Sequence, residues 1–173
     1  MTQTFLISDT HFDHSNILTF NRKDGTPLRP GFRDIHDMNE QLIQNWNKVV
    51  NTNDKVYHLG DVGFFKETRL DQIVSRLNGD KVLIKGNHDD RIKAHRYLEH
   101  FRDIRAYHVL DKLLLAHIPI HFDSVKRWKG QVHGHTHDTN LIERIYYNVS
   151  VENINYTPIN FEVIREYYKQ ISS

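Results

Sequence analysis

Gln131-Val132-His133-Gly134-His135-Thr136-His137 is a short apolar-ended run that meets a glycine and then delivers two histidines at spacing i, i+2. In extended backbone, residues two apart project to the same side, so His135 and His137 reach one point or two adjacent points. Gly134 lets the chain turn tightly and approach whatever they hold. Alone, the stretch is equally compatible with a solvated histidine patch. Four other stretches of the same shape raise it above that.

Phe5-Leu6-Ile7-Ser8 leads into Asp9-Thr10-His11, and Val56-Tyr57-His58-Leu59-Gly60 leads into Asp61. Val82-Leu83-Ile84-Lys85-Gly86 leads into Asn87-His88-Asp89, and Leu113-Leu114-Leu115-Ala116 leads into His117. Short apolar runs bounded by turn signals read as buried strands. In open α/β sheets, functional groups collect beyond the carboxyl ends of the strands. Five such ends, each carrying Asp, Asn or His, describe one site assembled from the whole chain. The mixed oxygen and nitrogen donor set suits divalent metals such as Mn, Fe, Zn or Ni.

The ordered set D-x-H, G-D, G-N-H-D, a lone His before x-P, and G-H-x-H resembles the calcineurin-like metallophosphoesterase superfamily, and it spans Asp9 to His137. The resemblance implies a four-layer α-β-β-α sandwich of two mixed sheets flanked by helices. It also implies two divalent ions, manganese first, with iron, zinc or nickel as alternatives. Asp9, His11 and His137 would hold one ion, and Asn87, His117 and His135 the other. Asp61 would be the carboxylate shared by both. A water bridging the ions would attack phosphorus in line. By the same resemblance His88 is a general acid or a charge-neutralising imidazolium, and Asp89 is expected to orient it. One departure stands out: Val62-Gly63-Phe64-Phe65 follows Asp61, where many relatives carry a further acidic or amide residue.

Composition sets the bounds. The 173 residues suffice for one compact domain, expected over 1–173. Charged residues at 26% and hydrophobic residues at 38% are ordinary for a globular chain. A net charge of +1 provides no global field for nucleic acid or anionic membrane, so stable nucleic-acid binding is not expected. The absence of cysteine excludes disulfides, zinc-thiolate sites and thiol catalysis. Met1-Thr2-Gln3-Thr4 runs straight into the first strand without a signal segment, and no apolar run is long enough to span a membrane. A cytoplasmic enzyme on a small phosphoester, nucleotide-like in character, is the expectation. The alternatives are a scaffold of the same fold and a nuclease on short oligonucleotides. The oligomeric state is not legible here.

Between the motifs, residues 17–33 read as a long loop with two prolines and two glycines. Arg22 and Arg33 are its candidate substrate contacts, alongside Phe20 and Phe32 as stacking faces. His14 is read as a loop residue able to touch substrate rather than a metal ligand. Asp37 is expected to cap the first long helix, with Glu40 completing a capping box. Met38, Leu42, Ile43, Trp46, Val49 and Val50 form its apolar stripe. A second helix follows Leu70, Ile73, Val74 and Leu77 and stops at Asn78-Gly79. Residues 104–110 and 112–116 are expected as a tight hairpin, residues 141–149 as a further strand, and Asn160 as the cap of a last helix.

Overall fold

Nine strands and five α-helices make up residues 2–172, the part of the chain that the computed structural model describes. The strands are β1 (Thr4–Ile7), β2 (Lys55–His58), β3 (Asp80–Ile84), β4 (Asp103–Arg105), β5 (Tyr107–Leu110), β6 (Leu113–Ala116), β7 (Gly130–His133), β8 (Tyr146–Asn148) and β9 (Ile159–Asn160). The helices are α1 (Ile35–Val49), α2 (Glu67–Val74), α3 (Ala94–Tyr97), α4 (Phe122–Val125) and α5 (Phe161–Ser172). One sheet has the order β4-β3-β2-β1-β9 and the other β5-β6-β7-β8. In the first, β1 to β4 are parallel and β9 is an antiparallel edge. In the second, β6, β7 and β8 are parallel and β5 is antiparallel.

The side-chain alternation of the strands explains the layering. Phe5, Ile7, Val56 and Leu83 share a core with Met38, Leu42, Ile43 and Trp46 of α1 and Leu70, Ile73 and Val74 of α2. Leu6, Tyr57, Val82 and Ile84 point the other way and pack on Leu113, Leu115 and Val132 of the second sheet. Both faces of the first sheet are therefore dry, which is why its strands read as continuous apolar runs. Parallel pairing of β6 with β7 forces a crossover between them. The inner face is filled, so the segment carrying α4 crosses the outer one, and Gln131 of β7 bonds Ile118 and Ile120 of that segment. The two mixed sheets and their helices form the expected α/β sandwich. Among the described residues, no helix is long and apolar enough to cross a membrane.

On α1 the apolar side chains form one stripe, each contributing roughly 1.5–3 kcal/mol when fully buried. Trp46 is wholly buried, and its indole N–H donates to the Asn78 carbonyl at 2.9 Å. The helix begins earlier than its sequence suggests. Asp34, not Asp37, is the N-cap, and its carboxylate accepts from the Asp37 N–H at 2.8 Å. Asp37 in turn accepts from the Arg33 N–H, while Glu40 pairs with Arg76. A second Asp three residues before the expected cap takes the N-cap position, and Asp37 bonds the chain one residue earlier instead of closing a capping box.

Two further corrections concern strands. Residues 104–110 are split at Ala106: β4 joins the first sheet beside β3, and β5 opens the second. The hairpin holds for β5 and β6, with Asp111 and Lys112 both at positive φ, as a two-residue type I′ turn requires. Of residues 141–149, only Tyr146–Asn148 is strand. Residues 17–33 are ordered by a 3₁₀ turn over Ser15–Thr19 and a bridge between Asn21 and Pro27.

Candidate metal centre

The five parallel strands β1, β2, β3, β6 and β7 end at a common edge, and each hands over its motif there. Asp9, His11 and His137 bring one donor atom each within 4.8 Å of one another, and Asp61, His117 and His135 do the same. Asp61 Oδ2 stands between the groups, 3.6 Å from His11 Nε2 and 3.4 Å from His117 Nε2. Asn87 completes the second group, its Oδ1 3.0 Å from His117 Nε2. All seven residues expected as ligands are thus gathered.

The backbone there is strained. Asp9, His11, Asp61, His135 and His137 all have φ between 48° and 68°, in the left-handed region that non-glycine residues rarely adopt. Each such residue costs of order 1–3 kcal/mol, and concentrations of them mark sites where geometry serves function. Close packing enforces it. A Cβ on Gly134 would collide with Ser8 and Asp9, and one on Gly60 would strike Gly86 and His117.

The donor set fits divalent cations. Asp9 Oδ1 and His11 Nε2 are buried, lack hydrogen-bond partners and lie 3.7 Å apart. An orphaned buried polar atom costs about 1–3 kcal/mol, so such a pair of lone pairs is unfavourable unless something occupies it. Burial alone would raise the Asp9 pKa, but the His11 ring 3.7 Å away and the charges of His117, His11 and His137 hold it far below the usual carboxylate range. Asp9 is therefore an anion at the floor of the cluster. Its Oδ2 accepts from the His135 N–H at 2.9 Å and from Ser150 Oγ at 3.0 Å.

Histidine orientation is set from behind. His117 Nδ1 donates to the Leu59 carbonyl at 2.7 Å, which turns Nε2 toward Asp61 and Asn87. Burial opposes its charge, yet the Asp61 carboxylate 3.4 Å from Nε2 and the Asp9 charge raise its pKa to about 9. Nδ1 faces the Leu59 carbonyl, and Nε2 faces the oxygens of Asn87 and Asp61. His137 Nδ1 donates to Glu152 Oε1 at 3.0 Å, and that oxygen also accepts from Arg29 Nε at 2.8 Å. Arg29 and Glu152 are buried, and Arg29 further donates to the carbonyls of Asp9 and Thr10. Neither residue was singled out from sequence. Glu152 lies just past β8, where a sixth strand end could have been suspected.

His88 is half-buried, with Nε2 3.9 Å from Asp61 Oδ2 and its backbone N–H bonded to Asp61 Oδ1 at 2.9 Å. The expectation that Asp89 orients it is not met. The Asp89 carboxylate is fully buried and accepts the backbone N–H groups of Asp61, Val62 and Gly86 at 2.7–2.9 Å. It clasps the loops after β2 and β3 together and does not touch the His88 ring. That ring instead packs on Phe64, with centroids 4.8 Å apart. Phe64 also stacks on His14 at 3.7 Å and carries the Arg91 guanidinium over it at 4.2 Å. Phe64 therefore walls one side of the site. His14 lies beside His11, with ring centroids 5.4 Å apart, and burial with the nearby His11 and His88 charges lowers its pKa to about 4.

Arg22 reaches the rim, its Nε 3.4 Å from Asp138, next to His137. Arg33 does not reach it: it is 83% exposed and pairs with Asp37 at the start of α1. A third group of suitable donors, Asp71, Glu99 and His100, is satisfied internally. His100 Nε2 lies 2.8 Å from Asp71, and Arg96 bonds both Asp71 and Glu99.

No family model matches the chain. It is 37% identical to the uncharacterized protein MJ1445 of Methanocaldococcus jannaschii, over 95% of this chain and 90% of that one. Among solved structures it is similar to AQ665 of Aquifex aeolicus, a protein of unknown function. There the TM-score is 0.72 and the identity 26%, over 96% of this chain and 99% of the other. A conserved uncharacterized protein of Streptococcus pneumoniae, described as a predicted phosphoesterase, reaches a TM-score of only 0.38 at 15% identity, over 86% of this chain and 71% of that one.

Proposed function

We propose, for a chain that belongs to the family of the Methanocaldococcus jannaschii protein MJ1445, the activity of a dinuclear-metal phosphoester hydrolase of the calcineurin-like type. The observation that carries the reading is the Asp61 carboxylate, one oxygen of which lies within 3.6 Å of a histidine from each donor group. Asp9, His11, Asp61 and His137 would hold one divalent ion, and Asp61, Asn87, His117 and His135 the other. Bound there, the ions supply Lewis acidity, lowering the pKa of a water and neutralising phosphoryl oxygens.

The chain's own groups do the rest. Asn87 contributes a neutral oxygen, so the second position keeps more net positive charge than an all-carboxylate site. Glu152 and the Leu59 carbonyl hold His137 and His117 in the tautomers that present Nε2 to the centre. His88 protonates the departing ester oxygen, a role its half-exposed ring and its tether to Asp61 allow. Phe64 and His14 screen one side from water. A scaffold would have no use for strained ligating residues or for buried donors without partners.

The test is metal content alongside hydrolysis of aryl phosphomonoesters and phosphodiesters. The wild-type chain is expected to bind two equivalents of Mn²⁺ and to hydrolyse at least one ester class. Asp61→Asn should cost more activity than His11→Gln at saturating metal, because it removes the charge shared by both groups. Full activity with one equivalent bound, or equal losses in the two variants, would overturn the shared-carboxylate assignment.

A further inference from the structure

A groove of about 540 Å³ opens beside the Asn87 and His117 side of the centre. It runs between the crossover from β4 to β5 and the segment that follows β6. Its volume falls within the roughly 300–1,000 Å³ typical of small-molecule pockets. A phosphoryl group held at the metal centre occupies only one end. Ile104, Ala106, Tyr107, Ala116, Ile118 and Ile120 line the remainder.

Two features define what the groove accepts. Its cations already have partners: Lys85 pairs with Asp90, and Arg105 donates to Asp103 at 2.6 Å and to His108 Nδ1 at 2.7 Å. A second anionic group would find no free positive charge on the lining. Tyr107, by contrast, is 59% exposed. Ile118 is also exposed, two residues beyond Ala116, which pairs with Tyr107 in the sheet. A large ring and an isoleucine left bare beside a polar centre offer a stacking surface. The 17–33 loop offers less. Arg22 and Arg33 are held by Asp138 and Asp37, and Phe32 and Phe20 pack edge-on against Tyr156 and His14.

We infer that this groove is the recognition site for the ester substituent, and that the substituent is an uncharged planar group of nucleoside size stacked on Tyr107. The inference rests on the phosphoesterase reading for its chemistry, but binding tests it separately. Adenosine 5′-monophosphate and ribose 5-phosphate share the phosphate and differ in the base. In calorimetric titrations of the full chain in Mg²⁺, the nucleotide is expected to bind at least tenfold more tightly. Tyr107→Ala should erase that preference, while Tyr107→Phe, which keeps the ring, should retain it. Equal affinities in the wild-type chain, or equal losses in the two variants, would overturn the inference. Hydrolysis of thymidine 5′-(p-nitrophenyl phosphate) against methyl p-nitrophenyl phosphate separates the two claims, since the leaving group is the same. A nucleotide preference in binding with neither of these diesters nor p-nitrophenyl phosphate hydrolysed would leave the groove assignment standing and sink the hydrolase. Equal turnover of both esters without a nucleotide preference would do the reverse.

Discussion

Glu152 Oε1 receives hydrogen bonds from His137 Nδ1 at 3.0 Å and from Arg29 Nε at 2.8 Å, all within a buried pocket behind the metal centre. One carboxylate thereby orients His137, proposed as a ligand, and neutralises a buried arginine. The Arg29 and His137 charges hold the Glu152 pKa below its ordinary value against the opposing effect of burial.

The two duties separate by mutation. Glu152→Gln should lower Mn²⁺ affinity about 10–100-fold, the usual effect of losing a histidine's outer partner. It should also destabilise the fold by about 3–5 kcal/mol, because Arg29 is left as an uncompensated buried charge. Combining it with Arg29→Met should recover much of the stability but not the affinity. Chelator competition and urea unfolding measure the two effects. Recovery of both in the double variant would mean that Glu152 acts only as a counter-ion.

His88→Ala is expected to retain bound metal and to lose roughly 10²–10⁴-fold in kcat on poor leaving groups, the range for a missing general acid. The loss should shrink on p-nitrophenyl esters, whose leaving oxygen needs no proton. Steady-state kinetics over a series of leaving groups reads this directly. An equal loss across the series would assign His88 to charge stabilisation, and a loss of metal would make it a ligand.

Asp89→Asn tests the clasp. Three backbone N–H groups converge on this carboxylate, and an amide nitrogen placed there would face them donor to donor. The variant should lose about 1–3 kcal/mol of stability, the cost of leaving buried donors unsatisfied. Metal binding should weaken with it, because Asp61 loses its backbone anchor. Unchanged stability and metal affinity with a lowered kcat would restore the role of orienting His88.

His58 gives the fold a pH dependence. It is wholly buried, bonded to Thr10 Oγ1 at 3.0 Å and to the Gly60 N–H at 3.2 Å. Burial lowers its pKa to about 3, against the attraction of Asp9 and Asp61. Between the ordinary value near 6.5 and that figure, the unfolded chain binds a proton that the folded chain does not. Stability contributed by the neutral ring is therefore whole above about pH 6.5 and falls as pH drops, by up to about 1.4 kcal/mol per unit. His58→Asn keeps an acceptor for Gly60 and cannot titrate. Its unfolding free energy, followed from pH 7 to 5, should fall less steeply than that of the wild type. Parallel slopes would show that His58 does not carry the effect.

Local chemistry was enough to find the residues that gather at the site. Strand ends announce themselves by an apolar run followed by a polar residue, often across a glycine, and functional groups collect beyond the carboxyl ends of parallel strands. Asp9, His11, Asp61, Asn87, His88, Asp89, His117, His135 and His137 were legible as one site for that reason, and the family resemblance singled out seven of them as ligands. The two-sheet sandwich needed the resemblance as well, since apolar runs do not say which strands pair. Tertiary structure alone decided what stands behind and beside the ligands. Arg29 and Glu152 are 123 residues apart, and no periodicity links them. Asp89 follows His88 in sequence, yet burial turned its carboxylate toward backbone amides on the neighbouring loop. The strand expected over residues 104–110 broke because its halves serve different sheets, and that same break opens the groove in which Tyr107 is left exposed. Sequence pattern records which side chains avoid water. Which polar groups meet across the chain depends on the packing of layers that the pattern does not contain.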